Sequence, residues 1–262
     1  APRGIVAAAV TSIFALELEH HGLKEAALMV PATFLVIVGT VCVYGLTATP
    51  LARALGLAQK GRGGPLIVGA HSWARRLAET LQKEGCQATL VDTNRDNIKQ
   101  ARLEGLNALH ANITSQHAVD EIDTAGLGFL LALTSNEEVN AIACLHFTEV
   151  FGKNEVYQIP SKQDGGHLSK GFAQHLRGRN AFSPDLTCQK ISDLFDQGYS
   201  VKVNRLTEKF GYEEFQELHE DRAYPLFLLS PEGEVGFITG AQAANPLPNS
   251  RMISLVPPEV SD

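Results

Sequence analysis

PLIVGAHSWARRLAETLQKEG, residues 65–85, decides the fold. An apolar run, Leu66 to Val68, meets a single glycine, Gly69, and passes into an amphipathic helix with Ser72 as its N-cap and Gly85 as its C-cap. Strand, tight turn and helix in this order look like the start of a nucleotide-binding βα unit with its glycines removed. A dinucleotide fingerprint would carry glycines at 71 and 74, but this chain has His71 and Ala74. The second glycine lets the backbone approach a pyrophosphate, and the third lets helix and strand pack closely. The helix N-terminus still offers free amides and the positive end of a dipole to an anion. Three outcomes follow for the loop: it holds an adenine nucleotide in altered form, it is a structural relic filled by His71, or it binds NAD(H) in the usual way. His71 is either a pH-sensing imidazole or a ring that occludes the loop.

Outward from this unit, strands and helices alternate. QATLVD (87–92) is the second strand, and TNRDNIKQARLEG (93–105) the second helix, with Thr93 and Asp96 as a capping box. NALHA (107–111) is a third strand, followed by a helix over 115–126. FLLALTS (129–135) is a strand buried on both faces, and a helix follows with Ser135 and Glu138 as its capping box. EVYQIP (155–160) is a fifth strand. The alternation predicts a doubly wound, Rossmann-like parallel sheet. Ligands of such sheets sit at the carboxyl ends of the strands. Gly69 ends the first strand there, Asp92 ends the second where an acidic group bonds ribose hydroxyls, and Thr134, Ser135 and Asn136 end the fourth.

The front of the chain is of another kind. No charge occurs from Ala26 to Ala52, and Leu28–Leu46 would span about 28 Å as a helix, close to a bilayer core of roughly 30 Å. The segment before it, Gly4–Leu16, is too short to span alone and is rich in the alanines that suit close helix packing. Acidic Glu17, Glu19 and Glu25 precede the long segment, while Arg53, Lys60 and Arg62 follow it, which predicts a cytoplasmic C-terminal part. The chain begins at Ala1 with no basic n-region, so a signal peptide does not fit, and it reads as a piece of a longer protein.

APRGIVAAAV at the start, with a later span running into LTATPLARALGL, resembles the last two transmembrane helices of cation:proton antiporters of the Na+/H+ exchanger type. The resemblance implies that Arg3 and Gly4 belong to the transport core, with the arginine paired to acidic residues of earlier helices. It implies as partners membrane lipid, the rest of the antiporter core and a second copy of the chain, in a multi-pass inner-membrane protein with residues 53–262 in the cytoplasm. The LIVGA start, LVDTN at Asp92 and LALTSNEEVN around Asn140 resemble the RCK domain, also called the Trk-type N-terminal domain, over about 64–160. This likeness implies a regulatory rather than enzymatic role, and AMP, ADP, ATP or NAD(H) as ligand. The candidate contacts are Gly69, Ala70, His71, Ser72, Asp92, Thr93, Asn112, Thr134 and Ser135. Asn112 stands where the family commonly has an acidic residue near the end of the third strand.

The expected organisation is two membrane helices over 1–52, a linker over 53–63, the Rossmann-like domain over 64–160, a connector over 161–185 and a small α+β domain over 186–262. In the last, strands are predicted at YSVKVNRL, YPLFLLS, EVGFITG and RMISLV, with a hairpin turn at Gly233 and a short acidic helix in FGYEEFQELHED. A formal charge of -7 argues against nonspecific nucleic-acid binding. The scattered Cys42, Cys86, Cys144 and Cys188 have no zinc-ligand spacing, and the histidines suggest no metal site. No catalytic set accompanies the sheet, so a nicotinamide-dependent oxidoreductase is disfavoured. A ligand-free assembly module is the competing role.

Overall fold

The computed structural model describes residues 5–54, 63–115, 117–161, 177–207, 210–219, 222–231, 233–238 and 249–258. The chain forms two compact units, Ala1–Gln59 and Lys60–Asp262. Arg3 and Gly4, most of the linker and most of the connector lie outside the described residues.

In the first unit, α1 (Ile5–His20) packs on α2 (Met29–Ala54), with a 3-10 turn at Lys24–Leu28 between them. The helix α1 runs on through Glu17–His20, beyond the apolar segment that ends at Leu16. Ala8 and Ala15, two turns apart, are buried, as is Ala26. Large apolar side chains such as Leu35 and Leu46 are exposed. Thr33, Thr40 and Thr47 each donate a hydroxyl to the carbonyl four residues back, which satisfies them without solvent. Among the described residues one helical stretch, Lys24–Ala48, is long and apolar enough to cross a membrane. The 16 described residues of α1 span about 24 Å.

The second unit is α/β. Its parallel sheet has the order β3-β2-β1-β4-β5-β6, made of β1 (Gly64–Val68), β2 (Thr89–Asp92), β3 (Asn107–His110), β4 (Leu127–Ala132), β5 (Val156–Gln158) and β6 (Arg179–Asn180). The order reverses between β1 and β4. One face carries α3 (Ser72–Lys83) and α4 (Arg95–Leu103), and the other carries α5 (Ala118–Glu121) and α6 (Glu137–Phe151). Leu66, Leu130 and Phe129 are fully buried between the layers. The third helix is far shorter than its predicted 115–126, because Asp123 takes the Ala125 amide into a turn before β4. The short β6, read as connector in the sequence, pairs with β5.

At the N-terminal end of β1 the backbones approach closely. A Cβ on Gly63 would lie 2.5 Å from the Gly126 carbonyl, and one on Gly64 would overlap that of Gln87. Glycine is required here by proximity of backbone.

The chain ends in an antiparallel sheet, β7-β10-β8-β9, from β7 (Ser200–Arg205), β8 (Tyr224–Leu229), β9 (Val235–Phe237) and β10 (Arg251–Val256), with α7 (Cys188–Asp196) and α8 (Tyr212–Leu218). Gly233, at φ +87°, makes the turn between β8 and β9. This sheet shares a core with the α3 face of the parallel sheet: Phe237 stacks on Tyr157 at 3.7 Å and meets Phe129 edge-on at 5.2 Å. Arg251 pairs with Glu84 at the end of α3.

Candidate functional site

The carboxyl ends of three strands, β1, β2 and β4, meet where the order of the parallel sheet reverses. The Gly69 backbone turns at φ +102°, a conformation that favours glycine, and its amide donates to Val91 O. The Leu133 amide donates to Val68 O, so β1 and β4 stay laddered up to the crevice. Asp92 closes the other side. Its Oδ2 accepts from the Ala70 amide at 2.8 Å and from Asn97 Nδ2 at 2.9 Å, and its Oδ1 accepts from the Asn94 amide at 2.8 Å. Burial alone would raise the Asp92 carboxyl, but these donors, with His71 nearby, outweigh it and hold it below its ordinary value. A carboxylate offers about four acceptor positions. The one remaining lies on Oδ1 and suits a ribose hydroxyl.

His71 answers the question that the loop poses. It is the N-cap residue of α3, a place the sequence suggested for Ser72, and its side chain does not cap the helix. The imidazole instead crosses to β4, where Nε2 meets Leu133 O at 2.9 Å. Its ring lies 4.3 Å from that of Trp73, and its buried Nδ1 has no partner among the described residues. Burial lowers its pKa from 6.5; the Leu133 carbonyl and Asp92 oppose that shift, and Arg75 adds to it. A Cβ placed on Gly69 would lie 3.4 Å from both His71 Nε2 and Thr134 Cγ2. The imidazole thus covers the turn where a glycine would leave room for a phosphate. Ala74, in place of the third glycine, is fully buried, so close helix packing survives.

Arg75 is held in place. Nη1 donates to Ala70 O at 2.8 Å and Nε pairs with Glu104, locking the loop to α4. Arg76 pairs with Glu79 at the surface. Below the crevice, buried Asn140 ties down the end of β4: its Oδ1 accepts from the Thr134 amide and hydroxyl, and its Nδ2 donates to Thr134 O. Gly69, Ala70, His71, Asp92 and Thr134 therefore converge. Ser72 and Ser135 are exposed beside them. Thr93 is exposed and its carbonyl is met by His110 Nε2. Asn112 Oδ1 already accepts from the amide and hydroxyl of Thr114, so its capacity for an adenine amino group is used in a turn.

Two caps differ from the sequence reading. Asn94, not Thr93, caps α4, and Asn136, not Ser135, caps α6. Each asparagine accepts from two first-turn amides. Leu133 O, Trp73 and the Arg75 clamp had no sequence signal. Burial pushes the thiols of Cys86 and Cys144 up to about 11 and about 12, so neither is a nucleophile at neutral pH.

No curated protein matches the sequence. Among solved structures, the NAD(P)-binding domain of an exopolyphosphatase-related protein from Archaeoglobus fulgidus is 17% identical, covering 52% of this chain and 97% of that one, with a TM-score of 0.40. The TrkA-N domain of inner membrane protein ybaL from Escherichia coli is 16% identical over 39% of this chain and 76% of that one, with a TM-score of 0.35. The GsuK channel bound to NAD is 14% identical over 88% of this chain and 46% of that one, with a TM-score of 0.38. At these scores none fixes a ligand for this chain. Residues 66–172, the segment that contains the crevice, match the TrkA-N domain family.

Proposed function

We propose that this chain is the C-terminal regulatory portion of a monovalent cation:proton antiporter, whose TrkA-N segment senses an adenine nucleotide or NAD(H) at the crevice. The carrying observation is Asp92 at the end of β2, beside the N-terminus of α3, inside a segment that matches the TrkA-N family. The long apolar helix at Lys24–Ala48 supports attachment to a membrane protein. The antiporter context rests on the likeness of the first residues and the apolar helices. A regulator acts through differential affinity for two conformations, not through chemistry. On this reading the His71 ring over the Gly69 turn keeps the crevice closed, and a nucleotide enters by displacing the ring from Leu133 O.

The same geometry favours one alternative. Three of the four acceptor positions of Asp92 are filled and His71 covers the turn, as suits a ligand-free assembly module. Titration of the full chain in phosphatidylcholine nanodiscs with NAD, NADH, AMP, ADP and ATP, read by calorimetry and thermal shift, separates the two. Binding at 100 times the dissociation constant adds about 2.7 kcal/mol of stability. A saturable signal lost in Asp92→Ala supports the sensor. No signal with any of the five, in a chain that unfolds cooperatively, supports the assembly module.

A further inference from the structure

A groove of about 480 Å³ lies between α4 and the outer edge of β3, lined by Arg95, Ile98, Lys99, Arg102, Leu103 and His110. We propose that it is a second, anion-binding site, for a soluble small molecule that carries two or more phosphate or carboxylate groups on a short apolar frame. The site is independent of the nucleotide reading above.

Helix periodicity separates the groove from the crevice. At 100° per residue, Arg95, Lys99 and Arg102 fall on one face of α4. Asn97 and Glu104 fall on the opposite face, where they bond Asp92 and Arg75. A ligand held by Arg95, Lys99 and Arg102 therefore lies on the side of α4 away from Asn97 and the Asp92 carboxylate, with His110, whose Nε2 meets Thr93 O, as the nearest link between the two.

The lining also states its ligand. Buried Ile98 and exposed Leu103 supply an apolar floor and rim, and two guanidinium groups and an ammonium stand over them. Arg95 and Lys99 have no ion-pair partner among the described residues. Three permanent cations share one groove in a chain of net charge -7, an arrangement whose self-repulsion an anion relieves. Planar guanidinium groups take phosphate and carboxylate oxygens in pairs. The volume falls in the range of small-molecule sites, about 300–1,000 Å³. Arg102 Nε donates to Ala108 O on the strand edge at 3.0 Å, which obstructs an added peptide strand and positions the rest of that guanidinium beside the groove.

The test is calorimetric titration of the full chain, in phosphatidylcholine nanodiscs, with inorganic pyrophosphate. Wild type should bind saturably, one anion per chain. Arg95→Gln/Lys99→Gln, with an unchanged unfolding midpoint, should weaken binding at least tenfold, and Lys99→Glu should do so alone. Asp92→Ala should leave it unchanged. Three results overturn the proposal: no saturable binding, equal binding by wild type and the double variant, or a loss confined to Asp92→Ala, which puts the anion in the crevice. A second titration uses nanodiscs containing phosphatidylserine. Unaltered pyrophosphate affinity there supports a soluble ligand. A cation-dependent attachment to the anionic bilayer that pyrophosphate fails to displace overturns it in favour of lipid headgroups.

Discussion

The crevice at the end of β1 and the groove beside α4 share a helix and hold opposite balances of polar groups. On the crevice side nearly every group is answered within the protein: Asp92 by three donors, Arg75 by Glu104 and Ala70 O, and Thr134 by Asn140. On the groove side Arg95 and Lys99 meet no such partner among the described residues. A site satisfied from within binds only by exchange, and its ligand must replace bonds already made. A site of unanswered charge binds by addition, and its affinity falls as salt screens it. The first arrangement favours a switch between two states, and the second favours graded occupancy.

The largest expected effect that would break this contrast is at Asn140. Asn140→Ala removes a buried side chain and leaves the half-buried Thr134 amide and carbonyl without their partner, which costs about 1–3 kcal/mol of stability. Chemical denaturation checks it, and pyrophosphate affinity at the groove should stay unchanged. Equal damage to both sites would mean that they are one system.

His71→Gly comes next. It removes the ring from the Gly69 turn and should raise adenine-nucleotide affinity about tenfold, or roughly 1.4 kcal/mol. Calorimetry on variant and wild type measures this. An unchanged affinity would mean that the ring is not the obstacle.

The smallest effect is on pH. The folded pKa of His71 lies below its ordinary 6.5 because of burial, so the fold prefers the neutral ring. Its contribution is fully present above that value. As pH falls below about 6.5, the unfolded chain takes up a proton that the fold resists, and stability drops. One proton limits the slope to about 1.4 kcal/mol per pH unit. Unfolding midpoints from pH 7.5 down to 5 should fall less steeply in His71→Gln than in wild type.

The sequence made the sheet legible because β1 and β4 are apolar on both faces, and Asp92 stood out by its place at a strand end. The caps were misread by one residue at Thr93–Asn94 and Ser135–Asn136, where two cap-forming residues adjoin. In both pairs the asparagine side chain reaches two amides. The saturation of Asp92 was not legible, since it depends on where Ala70 N, Asn94 N and Asn97 Nδ2 come to rest. Nor was the anchor of His71, because a backbone carbonyl such as that of Leu133 leaves no trace in residue type. The common core of the two sheets was hidden for a related reason: Phe129, Tyr157 and Phe237 each read as apolar strand residues, and nothing in their spacing says that they meet.

The glycine contacts at Gly63 and Gly64 have a mechanical consequence. Gly64 begins β1 and Gly63 directly precedes it; the strand lies in the middle of the sheet, hydrogen-bonded to β2 and β4 on its two sides. Tension applied at the amino end of this strand cannot peel an edge; it must shear two ladders at once, the geometry that resists force best. The tightly nested backbone around Gly126 and Gln87 works as a clamp on the loaded strand. Five residues further along the same strand is the Gly69 turn under His71, so a pull at one end of β1 arrives, through a stiff rod, at the latch on the other.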